Sequence, residues 1–109
     1  ANPLNLSYTT GLGHRSVRHP LHVDSRISNQ PPPAGITVYG PMGYREGKNY
    51  WSRKLVDPYL FPAYDRWPVA ESYWDIFWSP AMCEFTVSQM SPLIYTWGCL
   101  ATFTAAQHP

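Results

Sequence analysis

Glu84 is the only Asp, Glu, Lys or Arg in residues 79–109, and an apolar, aromatic run follows it. A carboxyl group in such company resists ionisation, which makes Glu84 a candidate general acid. The plainer alternative is a first-turn glutamate that interacts with a helix dipole, worth about 0.3–1 kcal/mol and nothing catalytic. A second group lies near the start of the chain. His14, His19, His22 and Asp24 are interleaved with Arg15, Arg18 and Arg26. The spacing His19-x-x-His22-x-Asp24 fits no strong zinc pattern, so a metal site, contacts to a polar ligand and plain surface placement all stay open. The third group is aromatic. Residues 42–78 hold eleven Tyr, Trp and Phe side chains, among them Tyr44, Trp51, Trp74 and Trp78. Such rings either fill a core or wall a groove, where flat faces suit the C–H faces of sugars and polar tips reach hydroxyls.

These groups need elements to position them. Ser79 and Pro80 read as the cap and first position of a helix, and Val87, Met90, Leu93, Ile94, Trp97, Leu100 and Ala101 recur at helical spacing after them. One long helix is therefore expected over 79–107, with Glu84 in its first turn and Pro92 bending or splitting it. Phe85, Tyr95 and Phe103 add apolar surface to its other sides, so it is expected to be covered all round. Upstream, 1–6 reads as a turn and 7–16, with Gly11 and Gly13, as a flexible loop without the Lys-Ser/Thr ending of a phosphate loop. Residues 30–35 are stiff and proline-rich, and 36–39 are a short extended segment. Residues 42–78 form a long ordered loop with short helical turns expected at 51–55 and 70–74.

Length and composition bound the rest. A chain of 109 residues makes one domain at most, and with 14% charged residues, 16% aromatics and 12 prolines it is poor in solubilising charge. Part of its apolar surface is expected to be covered by other polypeptide. A net charge of +1 with dispersed signs leaves no footprint for nucleic acid. Polar residues such as Gln89, Thr96 and Thr102 dilute the charge-free run, which argues against a membrane span. Cys83 and Cys99 are too far apart on one helix to pair, so both are expected as thiols.

Three ordered segments carry a family resemblance. They are Asn2-Pro3-Leu4-Asn5-Leu6-Ser7-Tyr8-Thr9-Thr10-Gly11-Leu12-Gly13; then Arg18-His19-Pro20-Leu21-His22 with Pro33-Ala34-Gly35-Ile36-Thr37-Val38-Tyr39-Gly40-Pro41; and finally Glu84-Phe85-Thr86-Val87. Together they resemble the C-terminal portion of the catalytic domain of glycoside hydrolase family 9, the cellulase and cellobiase family. The resemblance covers nearly the whole chain. It implies a mainly α fold with long irregular loops, a fragment of an (α/α)6 barrel. It also implies inverting hydrolysis of β-1,4-glucosidic bonds in cellulose or cello-oligosaccharides, with Glu84 as the proton donor. Departures are visible. Leu21, His22 and Val23 stand where the family has a His-His-Arg run, so His22 carries over directly and Arg26 only if the loop is rebuilt around it. Cys83 replaces the asparagine often found before the glutamate.

The resulting expectation is specific. Glu84 supplies the acid, while His22, Arg26, Tyr44, Trp51, Trp74 and Trp78 contact sugar, without metal or cofactor. The partners are a β-glucan oligosaccharide and the remainder of the catalytic domain, with no nucleic acid or membrane. Asp24, Asp57, Asp65 and Asp75 are isolated, so the base that activates water is expected outside this chain. A non-catalytic carbohydrate-binding unit or an interaction fragment is the alternative.

Overall fold

Proline and glycine recur so often before residue 80 that no helix there reaches two full turns. The computed structural model describes residues 2–106, and its regular structure is mainly helical with little strand. In chain order the helices are α1 (Val23–Ser28), α2 (Tyr44–Gly47), α3 (Arg53–Val56), α4 (Pro80–Cys83) and α5 (Val87–Ala106). Tighter turns at Asp57–Tyr59, Tyr64–Arg66 and Val69–Glu71 join α3 to the segment before α4.

Extended segments between these helices are laced together by backbone hydrogen bonds. Ser7 lies parallel to Ser16, through Ser7 N–H to Arg15 C=O (2.8 Å) and Val17 N–H to Ser7 C=O (3.0 Å). On its other side the same segment runs antiparallel to 35–38, through Thr10 N–H to Ile36 C=O (2.9 Å) and Val38 N–H to Tyr8 C=O (3.0 Å). The next residues along pair with the end of α4: Gly40 N–H donates to Met82 C=O (3.1 Å) and Tyr39 N–H to Glu84 C=O (3.0 Å). Leu21 N–H closes the lattice from the opposite flank, onto Cys83 C=O at 2.7 Å.

The core sits beneath this lattice. It gathers Val17, Val38, Tyr64, Tyr73, Met82 and Cys83, all buried, with Leu4, Leu6, Tyr8, Met42, Leu60 and Trp74 packed around them. Rings meet edge to face, Tyr8 on Tyr73 at 5.1 Å and Tyr64 on Trp74 at 4.7 Å, the arrangement their quadrupoles favour. The Tyr64 hydroxyl donates to Met42 C=O, and a Cβ at Gly47 would lie 2.2 Å from that hydroxyl, so no larger residue fits there. Burial, with Glu46 adding to it, raises the Tyr64 hydroxyl from its ordinary 10.0 to about 12.

The expected single helix over 79–107 is two helices. The start at Pro80 is as expected, but α4 ends at Cys83 and α5 begins at Val87. Glu84 caps α4 with extended backbone (φ −75°, ψ 157°), three residues before α5 begins, so it is not a first-turn residue. The cause is competition for backbone groups. The carbonyls of Met82, Cys83 and Glu84 are taken by Gly40, Leu21 and Tyr39, and Thr86 C=O then accepts from Met90 N–H (2.9 Å) to open α5. The helix continues through Pro92, so the break falls eight residues before the proline. The expected end at residue 107 lies outside the described residues.

The all-round cover expected for this helix is also corrected. α5 is tied to the body through its first turn, where Gln89 Nε2 donates to Val38 C=O (3.2 Å) and Thr37 N–H approaches Met90 Sδ (3.4 Å). Farther along, Ile94, Tyr95 and Phe103 are about 70% exposed. Among the described residues no helix is long and apolar enough to cross a membrane. The turn expected at 51–55 is α3, and that at 70–74 is the short turn Val69–Glu71.

Both cysteines are thiols, as expected, although the helix invoked to separate them is interrupted. Cys83 is fully buried, and its thiol donates to Trp74 C=O (3.6 Å) beside the Tyr73 hydroxyl (3.6 Å). Burial raises the thiol from 9.0 to about 11, with the Tyr73 contact pulling partly back. A raised folded value means that the stabilisation is complete below the unfolded value and is lost as pH climbs toward the folded one. Denaturant melts in reducing buffer are therefore expected to lose stability from about pH 9 upward, by ~1 kcal/mol at pH 10. Cys83→Ala should flatten that segment; identical slopes in both proteins would assign the loss elsewhere.

Candidate functional site

His22 and Arg26 are one helical turn apart, joined by α1, a helix where a loop is expected. His22 is its N-cap (φ −109°, ψ 100°), with Nδ1 accepting from Ser25 N–H at 3.2 Å. An amide can only donate, so Nδ1 holds a lone pair and the ring proton of the neutral imidazole sits on Nε2. The Ser25 hydroxyl has one proton and two acceptors in reach, His22 Nδ1 at 2.9 Å and His22 C=O at 3.0 Å. Asn29 ends the helix in the left-handed region (φ 53°), which asparagine tolerates.

Beside α1 is a cavity of about 790 Å³, within the range of small-molecule sites. Arg18, His19, His22 and Arg26 line it on one flank, Thr10 with Pro31 and Pro32 on another, and Phe77 provides the aromatic surface. The Arg26 guanidinium lies over the Phe77 ring at 5.5 Å, and Trp78 packs edge-on against that ring at 5.1 Å. The His22 ring is near-parallel to Phe85 (27°, centroids 6.4 Å apart), one residue from Glu84.

Each wall has a specific tether. Asp75 accepts backbone N–H bonds from Arg18 (2.6 Å) and His19 (2.9 Å), pinning the basic segment to the strip before α4. Thr10 is 2% exposed; its hydroxyl donates to Pro33 C=O (2.5 Å) and accepts from Ile36 N–H (2.9 Å), which holds the proline wall. Gly11 adjoins it at φ 70°, where a Cβ would come within 2.8 Å of the Ala34 side chain. The sequence reading named neither Asp75 nor Thr10 for these tasks. Their partners lie 57 and 23 residues away, and no local pattern signals a pairing at that range.

The other expected site residues are placed differently. Glu84 is half-buried and does not line the cavity; among the described residues no hydrogen bond or ion pair holds its carboxylate. Tyr44 and Trp74 belong to a separate ring cluster, both edge-on to Tyr64 at 5.4 and 4.7 Å, with Arg53 over Tyr44 at 5.9 Å. Trp51 is 61% exposed near α3, away from the cavity lining. Only Trp78, through Phe77, adjoins the His22–Arg26 cavity. Among the described residues no three His, Cys, Asp or Glu side chains are grouped to hold a metal, and His22 Nδ1 is already engaged by Ser25. No family model, curated protein or solved structure matches the chain.

Two substitutions separate support from contact. His22→Ala is expected to cost about 1 kcal/mol through loss of the cap, whereas His22→Asn, itself a good cap, should stay within a few tenths. Equal losses in denaturant melts would show that the cap is not what His22 contributes. Asp75→Asn presents an amide donor to two backbone donors, and about 1–2 kcal/mol of destabilisation is expected. Wild-type stability in this variant would remove the tether from the account.

Proposed function

We propose that this chain is the acid-bearing C-terminal portion of an inverting β-glucoside hydrolase, built as part of an (α/α)6 barrel of the family 9 type. Glu84 donates the proton to the leaving glycosidic oxygen, and His22 and Arg26 hold sugar hydroxyls beside it. The reading rests on one observation. The three segments that carry the resemblance, far apart in the chain, hydrogen-bond directly to one another, 8–10 with 35–38 and Tyr39 with Glu84, and Leu21 bonds to Cys83 just before the third. Segments that share one task have reason to share one lattice.

The chemistry requires a second carboxylate about 6.5–9.5 Å from the acid to drive water onto the opposite sugar face. Asp75 is occupied by two backbone amides and Asp57 pairs with Arg53 at 3.2 Å. As the resemblance implies, the reading assigns the base to polypeptide beyond these residues, and expects no turnover from the chain by itself. Stacking surfaces come from Phe77 and Trp78 rather than from the ring cluster around Tyr64. A binding-only carbohydrate unit is the competing reading, favoured by the separation of Glu84 from the cavity lining.

Glu84→Gln in the complete hydrolase distinguishes the two. General-acid catalysis contributes about 10²–10⁴-fold, so turnover of an alkyl β-glucoside, whose leaving group is poor, should fall by that factor. An activated aryl glucoside should lose much less. Unchanged turnover of the alkyl substrate ends the hydrolase reading and leaves the binding unit.

A further inference from the structure

The cavity beside α1 is unbalanced in charge. The chain has seven Asp and Glu against eight Lys and Arg, yet none of the seven acids lines this cavity, while Arg18, Arg26, His19 and His22 all do. The nearest tethered carboxylate, Asp75, spends both oxygens on the backbone amides of Arg18 and His19, not on a guanidinium. Asp24, in the first turn of α1, is exposed and outside the lining. The ion pair found among the described residues is Arg53 with Asp57, so neither cavity arginine has a carboxylate partner there.

We infer that this cavity selects saccharides bearing an oxyanion, a uronic-acid carboxylate or a sulfate ester, over neutral sugars. The inference rests on the saccharide reading above and goes beyond it in naming the charge of the sugar. A guanidinium offers five donors and no acceptor; it can hold sugar hydroxyls singly, but its planar fork matches an oxyanion with two parallel charge-assisted bonds. Arg26 is preorganised for that task by the Phe77 face at 5.5 Å, which limits the motion lost on binding. His22 adds an N–H donor at Nε2, because its Nδ1 accepts from Ser25 N–H. Four cationic or donor side chains converging on a concave surface also concentrate field toward an anion.

The test uses the complete protein that contains this chain, titrated calorimetrically with glucose, glucuronate, glucose 6-sulfate and inorganic sulfate. At low ionic strength glucuronate or glucose 6-sulfate is expected to bind about tenfold more tightly than glucose, the advantage shrinking as salt screens the charges. Whichever sugar acid binds better identifies the oxyanion. Arg18→Gln and Arg26→Gln should each cut the acid-to-neutral affinity ratio about threefold or more. The salt dependence of the wild type gives the answer if either variant fails to fold. Equal affinity for glucose and both sugar acids overturns the inference, as does an unchanged ratio in both folded variants. Inorganic sulfate binding as tightly as the sugar acids, or no binding of any of the sugars, overturns it too. These outcomes are independent of Glu84→Gln turnover, so the charge preference and the hydrolase reading can fail separately.

Discussion

Two backbone hydrogen bonds to consecutive residues organise this protein. Leu21 N–H takes the carbonyl of Cys83, and Tyr39 N–H takes that of Glu84, from opposite flanks of the same short strip. Those carbonyls would otherwise continue the i→i+4 ladder of α4 into α5. Because they are used sideways, the helix stops, the chain passes through three non-helical residues, and α5 starts again at Val87. The strip at 82–84 thereby becomes the seam that joins the basic segment, the 35–40 segment and the only acid of the C-terminal region.

The seam is held from below by a core with few aliphatic side chains and many rings. Tyr64 and Tyr73 bury their hydroxyls against Met42 C=O and Cys83 Sγ, so the polar tips are partnered rather than stranded. Desolvation raises both hydroxyls. Rings in edge-to-face contact also explain why the aromatic-rich region is ordered with so little regular structure: packing, not hydrogen-bonded ladders, fixes its path. Tyr44 and Trp74, attractive as sugar platforms on composition, are used up in this cluster.

The cavity beside α1 and the Glu84 carboxylate are separate features of the structure. Arg18, His22, Arg26 and Phe77 face one cavity, and Glu84 stands outside its lining with Phe85 and the His22 ring between sequence neighbours of the two. Beyond its first turn α5 leaves the body, and Ile94, Tyr95 and Phe103 present exposed apolar surface that a 109-residue chain of 14% charge does not cover itself.

What was legible in the chain was local. Pro80 as the first position of a helix, the helical period through Leu100 and the extended run at 36–39 all follow from neighbouring residues, which act within one or two turns. His22 and Arg26 stand out in the sequence only through the family resemblance, and α1 between them has little local signal, since histidine is a weak N-cap. Tertiary structure alone decided that Glu84 leaves the helix, that Asp75 holds the basic segment and that Tyr44 and Trp74 serve the core. The physical reason is common to all three. Each outcome is set by a backbone amide or a ring that arrives from elsewhere in the chain, and the residue's own neighbours carry no record of it.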